Sequence, residues 1–404
     1  MYTYKIGISE EEHDQFVLSH PLATLLQSSQ WAKVKDNWKH ELLGFYRDGS
    51  LVATAACLIR PLPLGFSMIY VPRGPILDYS DFDLLRFVIS SLKAFGKTKK
   101  ALSIKLDPSL LIKSAHIDQD SDENGQTLST IAFLKSLGLD WSGRTQHLEE
   151  TIQPRFQANI FACDFSLDQL SKKAKQSIRT ATNKGVEISF GQTELLEEFA
   201  QLMKKTENRK GIILRGIDYY RKLLDTYQDQ SFITMARLNL EEQEKTVRNQ
   251  LEKALELQQQ FTEKSKPSKV SENQKTIERL QKEIHFLQEE MTKGKKLVPL
   301  AATLTLQFGN TSENLYAGMD DTYRQYQAAL FTWYHTAQEA FNRGCQNHNL
   351  GGIENHLDGG LYQFKSRLNP TIEEFAGEFN IPVSPLHKPA MLAYKLRKAI
   401  RSKH

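Results

Sequence analysis

The stretch TIERLQKEIHFLQEEM, residues 276–291, is decisive for the fold because its apolar residues recur with a heptad spacing. The residues of this seam are three, four, three and four positions apart: Ile277, Leu280, Ile284, Leu287 and Met291. That spacing places them on one side of a helix and is typical of a coiled coil. The sequence therefore predicts a long helix that packs along this seam against a partner helix.

The partner helix is expected in the segment that precedes this stretch. A similar but less regular spacing is kept there by Val247, Leu251, Ala254, Gln258 and Phe261. The polar segment SKPSKVS, with Pro267, separates the two helical patterns. Two helices of about 20 residues predict an antiparallel hairpin roughly 30 Å long, at 1.5 Å per residue. Because strand patterns flank residues 241–296, we expect the hairpin to be inserted into a domain as a helical arm.

Outside the arm, the chain runs twice through a similar order of strand and helix patterns. Its 404 residues are too many for one ordinary core, so two or three domains are expected. The predicted fold class is α+β with a duplicated unit. The predicted domains are residues 1–153, residues 154–240 with 297–404, and the coiled-coil arm at 241–296.

The composition is typical of a soluble protein from a reducing compartment of the cell. The net charge is only +4. The three cysteines lie far apart in the sequence, which argues against a disulfide scaffold and against a zinc site. The acidic N-terminal segment does not resemble a signal peptide, and the apolar runs are too short to span a bilayer. We therefore expect a cytoplasmic protein without a metal ion.

Common catalytic motifs do not occur in the sequence. It contains no GxSxG, no P-loop and no HExxH, and it lacks the glycine-rich loop with which acetyl-CoA-dependent transferases hold a pyrophosphate. What stands out instead is a set of charged residues in apolar surroundings: Lys35, Arg73, Asp107, Arg215 and Lys365. Each of these alone is also compatible with an ordinary surface charge.

Six segments containing these residues carry a family resemblance. In order, they are LQSSQWAKVKDNW (26–38), YVPRGPILDY (70–79), IKLDP (104–108), KGIILRGIDYY (210–220), GLYQFKSRLNP (360–370) and FAGEFNIP (375–382). With the helical arm before the last two, they resemble the Fem family of peptidoglycan aminoacyltransferases, and within it the streptococcal MurM branch. The resemblance covers nearly the whole chain.

The resemblance implies two acetyltransferase-like (GNAT) domains and a specific reaction. Alanine or serine would pass from aminoacyl-tRNA, the co-substrate, to the stem-peptide lysine of lipid II or of its soluble nucleotide precursor, starting an interpeptide bridge. No cofactor is implied. Two other interpretations stay open: an acyl-CoA-dependent N-acyltransferase, and a non-catalytic RNA-binding protein with a coiled-coil arm.

The family motifs also imply roles for single residues. By similarity, Lys35 with Trp38 and Arg215 with Tyr219 line a pocket for the precursor's pyrophosphate, and Arg73 is a further substrate-binding residue. Cations suit this group because they form charge-assisted hydrogen bonds with phosphate. Asp107 is the candidate base for the attacking amine, or a group that orients this amine. Lys365 is the candidate donor to the oxyanion, oriented by Glu378.

Two further surfaces are expected to meet large partners. The candidate tRNA contacts are Lys172, Lys173, Lys175, Arg179, Lys293, Lys295 and Lys296. The last segment, MLAYKLRKAIRSKH (391–404), predicts a cationic amphipathic helix. Such a helix suits peripheral contact with an anionic membrane surface, where a lipid-linked precursor would lie.

Overall fold

The computed structural model describes residues 1–117, 119–387 and 389. Its core consists of two eight-stranded sheets. Each sheet is antiparallel except for one parallel pair of strands.

The first sheet is formed mainly by the N-terminal part of the chain. Its strands are β1 (Tyr2–Ile6), β2 (Lys39–Arg47), β3 (Ser50–Pro61), β4 (Ser67–Val71), β5 (Ile76–Leu77), β6 (Ala101–Leu106), β8 (Asp140–Trp141) and β16 (Phe379–Pro382). Their order is β1–β2–β3–β4–β6–β16–β8, and β5 pairs with β3. The helices α1 (Glu10–Ser19), α2 (Ser29–Val34), α3 (Phe82–Thr98) and α4 (Gly125–Ser136) accompany this sheet.

The second sheet repeats this plan. Its strands are β7 (Leu111–His116), β9 (Phe156–Phe161), β10 (Val186–Gly191), β11 (Ser231–Asn239), β12 (Leu297–Phe308), β13 (Thr311–Met319), β14 (Asn347–Ile353) and β15 (Thr371–Phe375). Their order is β10–β11–β12–β13–β14–β9–β15–β7. Its helices are α5 (Lys172–Asn183), α6 (Leu196–Lys210), α7 (Ile217–Tyr227), α10 (Ala328–Asn342) and α11 (Gly360–Lys365).

The parallel pair shows the duplication most directly. β4 and β6 are connected through α3, and β13 and β14 are connected through α10. The last paired residues are Val71 with Leu106 in the first sheet and Glu313 with Asn349 in the second. The predicted fold class, two acetyltransferase-like domains with a helical arm, is confirmed.

Two strands do not lie in the sheet that the predicted boundary at residue 153 assigns to them. β7 belongs to the second sheet, and β16 belongs to the first. The reason for the second crossing is burial, because Phe379 and Ile381 of β16 complete the apolar core of the first domain. The two domains therefore exchange one strand each.

The arm is an antiparallel pair of helices, α8 (Leu240–Gln259) and α9 (Pro267–Thr292), inserted between β11 and β12. The predicted seam is buried, with Ile277, Leu280 and Leu287 at 5% exposure or less. The buried Asn273 fixes the alignment of the helices, because its amide donates to Ala254 O at 2.9 Å and to Gln258 Oε1 at 2.8 Å.

A separate apolar cluster joins the two domains. Leu26, Trp31 and Ile76 from the first domain pack with Tyr220 and Leu304 from the second. This junction brings the end of α2 next to α7 and β13, where the candidate site lies.

The predicted membrane-binding helix at residues 391–404 lies outside the described residues. Within the described part, none of the helices has both the length and the apolar character that crossing a bilayer requires.

Candidate active site

Lys35 lies at the domain junction, immediately after α2. The Ser28 hydroxyl caps this helix by accepting a hydrogen bond from the Trp31 N–H at 3.1 Å. The helix ends at Val34, and Lys35 leaves it with a ψ of 50°. The Lys35 ammonium lies 4.6 Å from the centroid of the Trp31 ring and donates to Tyr219 Oη at 3.1 Å.

The structure does not place Trp38 beside this ammonium. The predicted pairing of Lys35 with Trp38 is not formed, because α2 is only six residues long and ends before both residues. Beyond it the chain turns into β2, and Trp38 packs against Leu58 and Tyr70 instead. Trp31 therefore occupies the place that the sequence analysis gave to Trp38.

Arg215 approaches the same tyrosine from the loop between α6 and α7. Its guanidinium carbon lies 5.0 Å from the centroid of the Tyr219 ring, and its positive charge acts on the hydroxyl of Tyr316 on β13. Tyr219 and Tyr316 are in edge-on contact, with ring centroids 6.3 Å apart. Lys35 and Arg215 thus meet on one aromatic cluster, as predicted.

No carboxylate in the described part of the chain neutralises the two cations. Throughout the described chain, neither Lys35 nor Arg215 forms a salt bridge with a carboxylate. Burial, together with the nearby Arg215 charge, lowers the pKa of Lys35 to about 8. Two adjacent positive charges on an aromatic wall, with no carboxylate partner among the described residues, form a site that favours an anion with more than one negative charge.

A second group of predicted residues lies where the first parallel pair ends. Asp107 is buried, and its carboxylate accepts hydrogen bonds from Tyr70 Oη and from the Arg73 backbone N–H, both at 2.6 Å. Burial raises the pKa of Asp107 to about 6, against the lowering effect of Arg73. The Arg73 guanidinium is also buried; it stacks on Phe375 at 3.8 Å and donates to Pro154 O at 3.2 Å.

Glu378 does not orient Lys365. The buried Glu378 carboxylate forms a salt bridge with Lys105 and accepts from the Ile152 N–H at 2.6 Å. It lies in the first domain because the exchanged strand β16 follows it directly. The prediction of a Glu378–Lys365 pair is wrong, since sequence order does not reveal that Glu378 crosses to the other domain.

Lys365 lies in the second domain at the end of α11. Its ammonium donates to Gly352 O at 2.7 Å and lies 5.6 Å from the centroid of the Trp333 ring. Burial lowers the pKa of Lys365 to about 7, against the opposing charge of Glu354. A buried ammonium with three donor protons can direct one of them at a developing oxyanion.

The arm cations that were predicted to bind tRNA have protein partners. Lys293 and Lys295 both pair with Glu290, which is 2% exposed and also accepts from Tyr323 Oη at 2.5 Å. Lys296 lies 3.4 Å from Glu241. These ion pairs join residues of the arm to one another, which makes the three lysines weaker candidates for phosphate contacts.

The cations on α5 have a different setting. Lys172, Lys173 and Arg179 are exposed, and none of them has a salt-bridge partner among the described residues. Lys175 caps the preceding turn by donating to Asp168 O at 2.7 Å. The helix contains no acidic residue, so its outer face remains positively charged.

Some residues at the domain junction were not predicted. Neither Trp31 nor Tyr316, which lies on β13, was among the candidate residues. Glu313, three residues before Tyr316, lies on the same face of β13, which meets the first domain. Alternation of apolar and polar residues indicates a strand but does not reveal which of its faces meets another domain.

Comparisons with known proteins agree with this architecture. The FemAB family model matches residues 8–395. The lipid II:glycine glycyltransferase of Staphylococcus aureus (strain bovine RF122 / ET3-1) is 28% identical over 412 residues, covering 95% of this chain and 94% of the relative. The enzyme of the same name from strain NCTC 8325 / PS 47 is 27% identical over the same length. The crystal structure of FemX superposes with a TM-score of 0.74 at 26% identity, covering 96% of this chain and 99% of FemX.

Proposed function

The chain belongs to the FemAB family, and from that premise we propose that it is an aminoacyltransferase that adds an amino acid to lipid II. The Staphylococcus aureus relatives are named for this acceptor. The observation that carries the proposal is the pair of cations on the Tyr219 ring, Lys35 and Arg215, which have no salt-bridge partner within residues 1–117, 119–387 and 389. Lipid II carries a pyrophosphate, which offers the two negative charges that this pair requires.

The proposed donor is an aminoacyl-tRNA, and the acceptor is the stem-peptide lysine. The lysine amine attacks the ester carbonyl, a C–N bond forms, and the C–O bond to the ribose breaks. Lys365 is proposed to donate a hydrogen bond to the oxyanion of the tetrahedral intermediate. Alanine or serine is proposed as the amino acid, following the resemblance to the MurM branch, whereas the relatives are named for glycine.

One assay tests the reaction and its donor. The protein is incubated with lipid II and, separately, with radiolabelled alanyl-, seryl- and glycyl-tRNA, with labelled acetyl-CoA as a control. Label in lipid II from alanyl- or seryl-tRNA is the expected result. Label from glycyl-tRNA alone would correct the amino acid, and label only from acetyl-CoA would favour the N-acyltransferase. Binding of tRNA without transfer would favour a non-catalytic role.

The nucleotide-linked precursor is the second acceptor to test. It shares the pyrophosphate and the stem peptide with lipid II, so the cation pair fits both. Comparing kcat/KM for the two acceptors decides between them, and we expect the higher value for lipid II.

A further inference from the structure

We propose that Glu313 accepts the proton of the attacking amine and that Asp107 is a positioning residue. This inference rests on the proposed function, because it assigns a step of aminoacyl transfer. It replaces the prediction of Asp107 as the base with a residue that the sequence analysis did not select.

A β-bulge places Glu313 on the same face of the sheet as Tyr316, whose ring contacts Tyr219 beside the cation pair. Glu313 is opposite Leu306 on β12, and Tyr316 is opposite Leu304, with one extra residue on β13 between them. The bulge therefore puts Glu313 and Tyr316 on one face of the sheet, two rungs and about 7 Å apart. Leu304 and Leu306 belong to the cluster that joins the two domains, so this face is the one that meets the first domain.

The two candidate bases differ in whether their carboxylate oxygens already accept hydrogen bonds from the protein. Asp107 is 1% exposed, and each of its oxygens already accepts a hydrogen bond. Glu313 is only partly buried, and in the described part of the chain its carboxylate has neither a hydrogen-bond donor nor a salt-bridge partner. A general base needs a lone pair that can reach the substrate's proton. Glu313 meets this requirement, whereas Asp107 holds the Arg73 loop in place.

The surroundings of Glu313 suit a base that works near neutral pH. Arg73 is the charged group that acts on it, and the Tyr227 hydroxyl from α7 also lies within electrostatic range. The adjacent strands present the neutral residues Leu306 and Asn349. Burial raises the pKa of Glu313 to about 7, against the lowering effect of Arg73. At this pKa the carboxylate is substantially ionised at pH 7 and able to take a proton.

The proton balance is simple. The ammonium of the acceptor lysine loses one proton to the Glu313 carboxylate, and the electron pair stays on nitrogen. The neutral amine attacks the ester carbonyl, and the second proton lost from nitrogen ends on the departing ribose oxygen. Glu313 then releases its proton to solvent, which restores the carboxylate for the next turnover.

The test is the pH dependence of kcat in three isosteric or near-isosteric variants. With wild-type protein, kcat should rise through about pH 7. Glu313→Gln should lower kcat by about 100-fold or more, lose that rise and leave the KM for lipid II little changed. Glu313→Asp should keep the rise at a reduced rate. Asp107→Asn should keep the rise as well but lower Tm, because two hydrogen bonds to a buried group are weakened.

The opposite pattern would overturn the assignment. A Glu313→Gln variant that folds, by circular dichroism and Tm, and keeps the wild-type rate and profile would exclude Glu313. So would an Asp107→Asn variant that alone loses the rise. A wild-type protein that transfers no amino acid from any aminoacyl-tRNA would instead overturn the proposed function, and this assignment with it.

Discussion

At the scale of the residue, Lys35 is held in an environment that disfavours its charge. It is partly buried, it lies near Arg215, and its pKa is lowered for both reasons. Such an arrangement costs folding free energy unless a ligand uses it. The pair therefore makes a stronger case for anion binding than either residue alone.

Replacing Lys35 with alanine should impair use of the precursor more than it affects stability. Losing one charge-assisted hydrogen bond to phosphate, worth about 1.5–3 kcal/mol, predicts a rise of about 10- to 150-fold in KM for lipid II. Tm should stay constant or rise, because a desolvated charge is removed. The matched control is Lys33→Ala on the same helix, where the lysine is exposed and pairs with Glu10 at 2.6 Å. An unchanged KM in Lys35→Ala would contradict the anion site.

The pKa of Lys35 also predicts a pH dependence. The folded value of about 8 lies below the usual 10.5, so the unfolded chain binds this proton more tightly. The contribution of Lys35 to stability is thus unfavourable below about pH 8 and improves as pH rises from 8 towards 10.5. Precursor affinity should change in the opposite direction and fall above about pH 8, as the ammonium deprotonates.

Measuring KM for lipid II against pH checks this expectation. Lys35→Arg supplies the control, since a guanidinium stays charged across the whole range. The decline above pH 8 should be absent in that variant. A decline of equal size in both proteins would assign it to another group.

Whether a single site residue could be predicted depended on how its sequence neighbours are patterned. Lys35 and Arg215 could be selected because a charge within an apolar segment breaks the local pattern. Trp38 was misplaced because nothing in the periodicity marks the end of α2 at Val34. Glu313 left no signal, because a charged residue in a strand pattern indicates a solvent-facing position unless the bulge and the second domain are known.

At the scale of the element, the arm is the feature that the sequence predicts best. The arm and α5 differ in whether acidic residues pair with their basic residues. The heptad seam specifies both helices of the arm, and the structure buries that seam. The seam does not reveal what the basic residues of the arm do, because it does not show which acidic residues pair with them. Those acidic partners lie on another helical turn or far away in the sequence. Glu290 engages Lys293 and Lys295, whereas α5 has no acidic residue with which to neutralise its own face.

We therefore expect α5, rather than the base of the arm, to contribute most to tRNA affinity. Replacing Lys172, Lys173 and Arg179 with alanine should raise KM for aminoacyl-tRNA. It should also reduce the slope of log KM against log salt by about 2–3, at 0.7–0.9 per phosphate contact. The matched triple variant is Lys293, Lys295 and Lys296 to alanine, for which a smaller change of slope is expected. A larger change in the arm variant, with Tm preserved, would place the RNA on the arm.

At the scale of the whole molecule, the exchanged strands make the two domains interdependent. Periodicity identified most strands and the duplicated plan, because those depend on neighbouring residues. It could not reveal that β7 and β16 cross over, because strand pairing depends on contacts between residues far apart in sequence. For this reason Glu378 was placed beside Lys365 in the predicted site, although it lies in the other domain.

The exchange predicts that residues 1–153 do not fold well alone. Without β16, the inner edge of β6 is unpaired, and the buried side chains of Phe379 and Ile381 are missing from the first core. Each loss costs about 1.5–3 kcal/mol of apolar burial, which is a large part of a typical domain stability of about 5–15 kcal/mol. We expect the fragment to aggregate or to unfold without a cooperative transition.

The control restores the missing strand in the same chain. Residues 375–387 are attached to the fragment 1–153 through a flexible Gly/Ser linker long enough to reach β6. Cooperative thermal unfolding, followed by circular dichroism, should return in this linked fragment and should be lost again when Phe379 and Ile381 are both replaced by Ser. If the fragment 1–153 alone unfolds cooperatively at the same temperature as the linked one, then β16 does not stabilise the first domain, and the two domains are more independent than the shared sheets indicate.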